Sequence, residues 1–138
     1  MKLLLVLHVL SGPLRGMEFA FHAPACIILG RSHRCDVFLG KDESVSPRHC
    51  KIEMDDNGLW IQDLGSENGT FLNLENIALP RNAQTAASGM ITLPDRRPVM
   101  DGDEIRIGIN VLVARVFETT SEKAGSSNPC FPCLAFSI

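Results

Sequence analysis

Ser46, Arg48 and His49 fall within one short stretch, SVSPRHCKI, residues 44–52. Their side chains admit two kinds of chemistry. A serine close to a histidine supplies a nucleophile and its base, and with Asp63 downstream a Ser46–His49–Asp63 triad can be written. A serine close to an arginine supplies an anion grip, in which a hydroxyl and a planar cationic fork donate to the same oxygens. The nucleophile reading is the weaker of the two. No G-x-S-x-G elbow surrounds any serine of the chain, and Pro47 keeps Ser46 extended or in a turn. His49 opens an alternating run, Cys50, Ile52 and Met54 against Lys51 and Glu53, which suits a histidine packed into a layer.

Two more segments carry groups suited to an anion. In LGRSHRCDVFL, Arg31 follows Gly30 at the end of an apolar run; in DLGSENGTFLN, Ser66, Asn68 and Thr70 cluster around a turn. A phosphate needs several donors at once, so three such segments outweigh any one of them. No glycine-rich phosphate cradle of the G-x-G-x-x-G or Walker type occurs. Cys130-Phe-Pro-Cys133 is a lone C-x-x-C between a Ser/Asn-rich linker and a short apolar tail, a poor setting for redox or metal chemistry.

Period-two alternation and short apolar runs supply the elements that must position these residues. KLLLVLHVL reads as a strand, in preference to a signal peptide, because His8 interrupts it and SGPLRG offers no small-x-small cleavage site. GMEFAF, CIILG, VFLG, CKIEM, LWIQDL and TFLNL follow, with Asn57-Gly58 predicted to turn the hairpin between CKIEM and LWIQDL. DGDEIRIGINVLVARVFE closes the pattern, with Ile105, Ile107 and Ile109 expected on one face. Long helical periodicity is absent. The expectation is an all-β sandwich or barrel, in which loops from distant positions gather at one end. The stretch LPRNAQTAASGMITLPDRRPV reads as an extended loop with a short ribbon around MITL. Residues 1–118 form the domain; residues 119–138 are a flexible linker and an apolar tail, CFPCLAFSI.

The bulk numbers fit. A chain of 138 residues with 45% hydrophobic and 21% charged residues is long enough for one globular core. A net charge of −3 disfavours a general nucleic-acid binder, and no run approaches membrane-spanning length. Five cysteines at irregular spacing point to a reducing, cytoplasmic setting rather than a disulfide framework. Cys50, in phase with Ile52 and Met54, reads as a small core residue.

GRS…CDVFL, VSPRHCKI and DLGSENGTFLN in this order, with DGDEIRIG downstream, resemble a forkhead-associated (FHA) domain over roughly residues 3 to 117. The resemblance implies an FHA-like β-sandwich of about eleven strands whose apical loops read phosphothreonine in a partner protein. It further implies that Arg31 and Ser46 contact the phosphate, with Arg48 adding positive potential. Asn68, with Glu67 beside it, faces the peptide backbone; Gly30, His49 and Gly69 shape the loops. No catalytic residue, metal or cofactor is implied, and the partner is a protein phosphorylated on threonine by a Ser/Thr kinase. Three positions depart from the family pattern. Glu67 stands where threonine is common, which lowers phosphate affinity or biases selection toward basic peptides. Pro47 removes a backbone donor. FLNLENI lacks the usual glycine after Asn73. The alternative reading is a phosphate-independent interaction or assembly module on the same fold, and a Ser46/His49 hydrolase is the rival from another class.

Overall fold

The computed structural model describes residues 2–78 and 96–119. Alternation along the chain becomes alternation across two sheets. Strand β1 (Lys2–Ser11) buries Leu3, Leu5, Leu7 and Val9 and leaves the intervening residues partly exposed. β2 (Glu18–His22) and β3 (Ala25–Gly30) follow, then β4 (Val37–Phe38), β5 (Cys50–Asp55) and β6 (Gly58–Asp63). β7 (Thr70–Leu72), β8 (Glu75–Asn76), β9 (Arg97–Pro98), β10 (Glu104–Ile107) and β11 (Asn110–Thr119) complete the described chain. One sheet runs β2-β1-β11-β10-β7-β8 and the other β4-β3-β5-β6-β9.

The inward rows of the two sheets meet face to face. Leu5, Leu7, Ile105, Ile107 and Leu112 come from one; Ile27, Leu29, Cys50, Ile52 and Ile61 come from the other, and all are buried. Each such aliphatic side chain contributes about 1.5–3 kcal/mol on leaving water. A one-residue slip of any strand would turn its whole row to solvent, so the hydrophobic pattern also sets the register. The eleven described strands match the expected sandwich. β1 is an interior strand, paired from Lys2↔Thr119 to Ser11↔Val111 on one side and with β2 on the other. Among the described residues no helix is long and apolar enough to cross a membrane.

Several local expectations change. The β5–β6 hairpin pairs Asp55 with Gly58, so its loop is Asp56-Asn57 and not Asn57-Gly58. Asn57 keeps negative φ; the Asp55 carboxylate organises the turn instead, accepting from the Asn57 and Gly58 amides at 2.7 and 3.1 Å. Ile109 does not share the face of Ile105 and Ile107. It sits at the β10–β11 turn and is 57% exposed, because β10 ends at Ile107. TFLNL is strand only to Leu72. Asn73 (φ 51°) and Leu74 (φ 77°) then form a two-residue hairpin loop into β8. A loop with positive φ at both positions matches the twist of its strands, and Asn73 is pinned to β10 through Asp103 and Glu104 at 2.8–3.0 Å. That staple stands in for the missing glycine. The end of the long loop, Arg97–Pro98, is strand, paired with β6. The MITL ribbon, Cys130/Cys133 and the apolar tail lie outside the described residues.

Candidate functional site

Strand register brings the three predicted segments to one end of the sandwich. Leu29 near the end of β3 pairs with Cys50 at the start of β5, which pairs with Asp63 at the end of β6. In the other sheet, Ile107 at the end of β10 pairs with Thr70 at the start of β7 and with Asn110 at the start of β11. The loops 31–36, 39–49, 64–69 and 108–109 therefore share one rim.

The central loop, residues 42–48, is held from both flanks. On one side the Arg31 amide donates to Ser46 O (3.0 Å), the Ser32 amide to Pro47 O (3.2 Å) and the Cys35 thiol to Pro47 O (3.1 Å). Gly30 makes this zipper possible: a Cβ there would lie 2.3 Å from Pro47 O. On the other side the Glu67 amide donates to Ser46 Oγ (3.1 Å) and Asn68 Nδ2 to Ser44 O (2.9 Å). Beneath sits His49, with no exposed surface. Its Nδ1 accepts from the Ser46 amide (3.0 Å), so Nε2 carries the proton and donates to Gly69 O (2.8 Å). Gly69 adopts φ +90°, and a Cβ there would meet the Asn76 amide group at 2.8 Å. One imidazole thus ties the central loop to the turn of the third.

These contacts decide the question of the triad. Ser46 Oγ is engaged by the Glu67 amide, both imidazole nitrogens are committed to backbone groups, and Asp63 bonds elsewhere. No nucleophile–base–acid chain is assembled.

What remains at the rim is a set of free donors. Arg31 is exposed and anchored by Nε to Val45 O (2.8 Å); its terminal nitrogens make no hydrogen bond to the described residues. Ser46 Oγ receives a hydrogen bond, but its own proton has no acceptor among the described residues. Arg48 is exposed. Asn68 adds an acceptor beside these donors, its carbonyl oxygen, which has no donor among the described residues. A cationic fork and a hydroxyl on adjoining loops are suited to a tetrahedral anion. Ser66 and Thr70, read from the sequence as members of the same set, are not available. Both are buried and their hydroxyls donate to Asp63 Oδ1 at 2.6 Å. The expectation erred because Asp63 recruits them: its Oδ2 also accepts from the Gly65 and Ser66 amides at 2.9 Å.

A second carboxylate was missed from the sequence altogether. Asp42, 7% exposed, accepts from the Ser44 amide and hydroxyl through Oδ1. Its Oδ2 accepts from the Ile109 amide (2.8 Å) and Asn110 Nδ2 (3.1 Å). It ties the central loop to the β10–β11 turn. Only the D-x-S spacing of Asp42 and Ser44 hinted at this, and such spacing is common in turns. Burial pushes the Asp42 carboxyl upward, but donors from the Ser44 hydroxyl and the Ile109 and Ser44 amides outweigh it and hold the group below the ordinary 3.8. A depressed carboxyl stabilises the fold above its unfolded value, and that contribution is lost as pH falls through the folded value. Asp42→Asn, which turns an acceptor into a donor opposite two N–H groups, is expected to cost about 2–4 kcal/mol at neutral pH. The gap between wild type and variant should narrow below about pH 4 in urea melts run across pH; a gap independent of pH would remove Asp42 as the cause.

With this geometry in hand, the chain can be placed. The FHA domain family model matches residues 27–108, and the chain belongs to that family. It is 35% identical over 103 residues to an oxoglutarate dehydrogenase inhibitor of Corynebacterium glutamicum, covering 75% of this chain and 59% of that protein. It is 30% identical over 122 residues to the glycogen accumulation regulator GarA of Mycobacterium tuberculosis, covering 88% of this chain and 64% of that protein. The chain therefore spans less than two thirds of either relative. Among solved structures, the kinase-interacting FHA domain of the kinase associated protein phosphatase in Arabidopsis superposes with a TM-score of 0.70. It is 25% identical, with 86% of this chain and 98% of that one covered.

Proposed function

We propose that residues 1–118 are a phosphothreonine-binding domain that joins a phosphorylated partner protein in Ser/Thr kinase signalling, in the cytoplasm and without catalysis. The observation that carries this is the pairing of Arg31 with Ser46. The Arg31 guanidinium is braced on Val45 O, and the Ser46 hydroxyl is braced by the Glu67 amide with its proton unspent. Both are preorganised at no cost to the core, since neither belongs to the buried rows. Arg31 and Ser46 hold the phosphate and Arg48 adds positive potential. Asn68 and the Glu67 segment face the peptide main chain, while Gly30, His49 and Gly69 hold the loops. The kinase-interacting relative in Arabidopsis and the regulators named above support the same reading. β11 runs to Thr119, which pairs with Lys2, so the domain reaches one residue past Glu118.

The test is calorimetric titration of one peptide carrying threonine, phosphoserine or phosphothreonine. Binding should require the phosphate. Phosphothreonine should bind about fivefold or more tighter than phosphoserine, since burying one methyl contributes about 1 kcal/mol. Equal binding of the unphosphorylated peptide would replace this reading with the phosphate-independent interaction module.

A further inference from the structure

The rim is electrically polar, and the hydrogen bonds fix which way. Residues 31–35 lie along one flank of the central loop, bonded to Ser46 O and Pro47 O. They bring Arg31 and Arg34, both exposed, to the side where Arg48 also stands. Residues 67–68 lie along the opposite flank, bonded to Ser46 Oγ and Ser44 O. They bring the exposed carboxylate of Glu67, and the bond to Ser44 sets Asn68 next to exposed Glu43. The other three carboxylates nearby are engaged within the fold: Asp42 on the β10–β11 turn, Asp63 on Ser66 and Thr70, and Asp36, on the arginine flank, on the Ile28 amide. Glu43 and Glu67 by contrast make no ion pair with any described residue. Ser46 is the boundary between the two fields, because its carbonyl is bonded to the basic flank and its hydroxyl to the acidic one.

A dianionic phosphate seated on Arg31 and Ser46 would sit beside the Glu67 main chain, whose amide holds Ser46 Oγ and whose side-chain carboxylate is exposed. Left alone, that carboxylate opposes the ligand. It becomes favourable only if the peptide sets a cation against it. Resting on the phosphothreonine reading above, we infer that the segment bound here carries a lysine or arginine close to its phosphothreonine. Glu67 is the residue that selects it, with Glu43 in support. The same two carboxylates disfavour acidic flanks, so part of the selectivity is repulsive. Because both side chains are exposed, the attraction for each cation is modest and screened by salt.

The experiment scans lysine, then aspartate, through each flanking position of an otherwise uncharged phosphothreonine peptide. Affinity is measured by fluorescence anisotropy for wild type, Glu67→Gln and Glu43→Gln, with melting curves for each. Wild type should favour lysine over the neutral residue by about threefold to fivefold at one or more positions, and disfavour aspartate there. Glu67→Gln should remove most of that preference and bind the neutral peptide more tightly than wild type does, because the opposing carboxylate is gone. Glu43→Gln should remove less. If the neutral phosphopeptide binds but lysine gives no gain, or the gain survives in both variants, the inference is overturned and phosphothreonine recognition stands. If no phosphopeptide binds at all, the inference falls together with the reading beneath it.

Discussion

Arg31→Ala is expected to lower phosphothreonine-peptide affinity by about a hundredfold to a thousandfold while leaving the melting temperature nearly unchanged. The side chain is exposed, and its one internal hydrogen bond, Nε to Val45 O, is worth about 0.5–1.5 kcal/mol to the fold. The loop is also held by the Arg31 amide on Ser46 O, which alanine retains. In the complex the balance differs. Removing the principal cation beneath a bound phosphate should cost on the order of 2–5 kcal/mol, enough to erase a micromolar complex. Ser46→Ala should cost less, because a hydroxyl donates without charge and the Glu67 amide would lose only one acceptor. Calorimetry on wild type and both variants, with melts alongside, gives the comparison. Wild-type affinity in a folded Arg31→Ala protein would sink the anion grip.

His49→Ala should act on the fold first and on binding through it. The buried imidazole accepts from the Ser46 amide and donates to Gly69 O, so alanine strands one donor and one acceptor away from water. Each stranded group costs about 1–3 kcal/mol, and the emptied volume adds to that. A loss of about 3–5 kcal/mol is expected, read as a shift in the urea midpoint with an unchanged slope. For a domain of this size the melting temperature should fall by more than 10 °C. Phosphopeptide affinity should fall too, since the same ring joins the loop of Ser46 to the turn of Gly69. A stable variant with reduced binding would mean that His49 contacts the ligand instead of its loops.

Much of the fold was legible because strand periodicity is a local property. Leu3, Leu5, Leu7 and Val9, or Cys50, Ile52 and Met54, declare a buried face whatever they pack against. Turns were less legible. Asn57-Gly58 was placed one residue late because the Asp55 carboxylate, not positive φ at Asn57, shapes that hairpin. The Asn73-Leu74 loop was hidden because a leucine at φ 77° is tolerated only where the staple to β10 enforces it. Among the candidate site residues, Arg31, Ser46 and Asn68 were named from the motif, and the structure brings their loops to one rim. Ser66 and Thr70 were misassigned because a hydroxyl's direction depends on which acceptor lies nearest in space.

By itself the sequence determined the class of fold and where its main strands lie along the chain, while the segments expected at the rim came from the FHA resemblance. The strands follow from side-chain polarity at a spacing of two, which each segment states alone. Only the tertiary structure decided the division of labour among polar residues of the same type. Asp42 and Asp63 point inward as loop anchors, while Glu43 and Glu67 remain at the surface. Ser66 is a buried donor, while the Ser46 hydroxyl proton meets no acceptor among the described residues. The physical reason is that a polar group pays for burial only where partners from distant strands satisfy it. Those partners, Ile109 for Asp42 and Gly69 for His49, are set by register across the sheets and leave no mark on the neighbouring sequence.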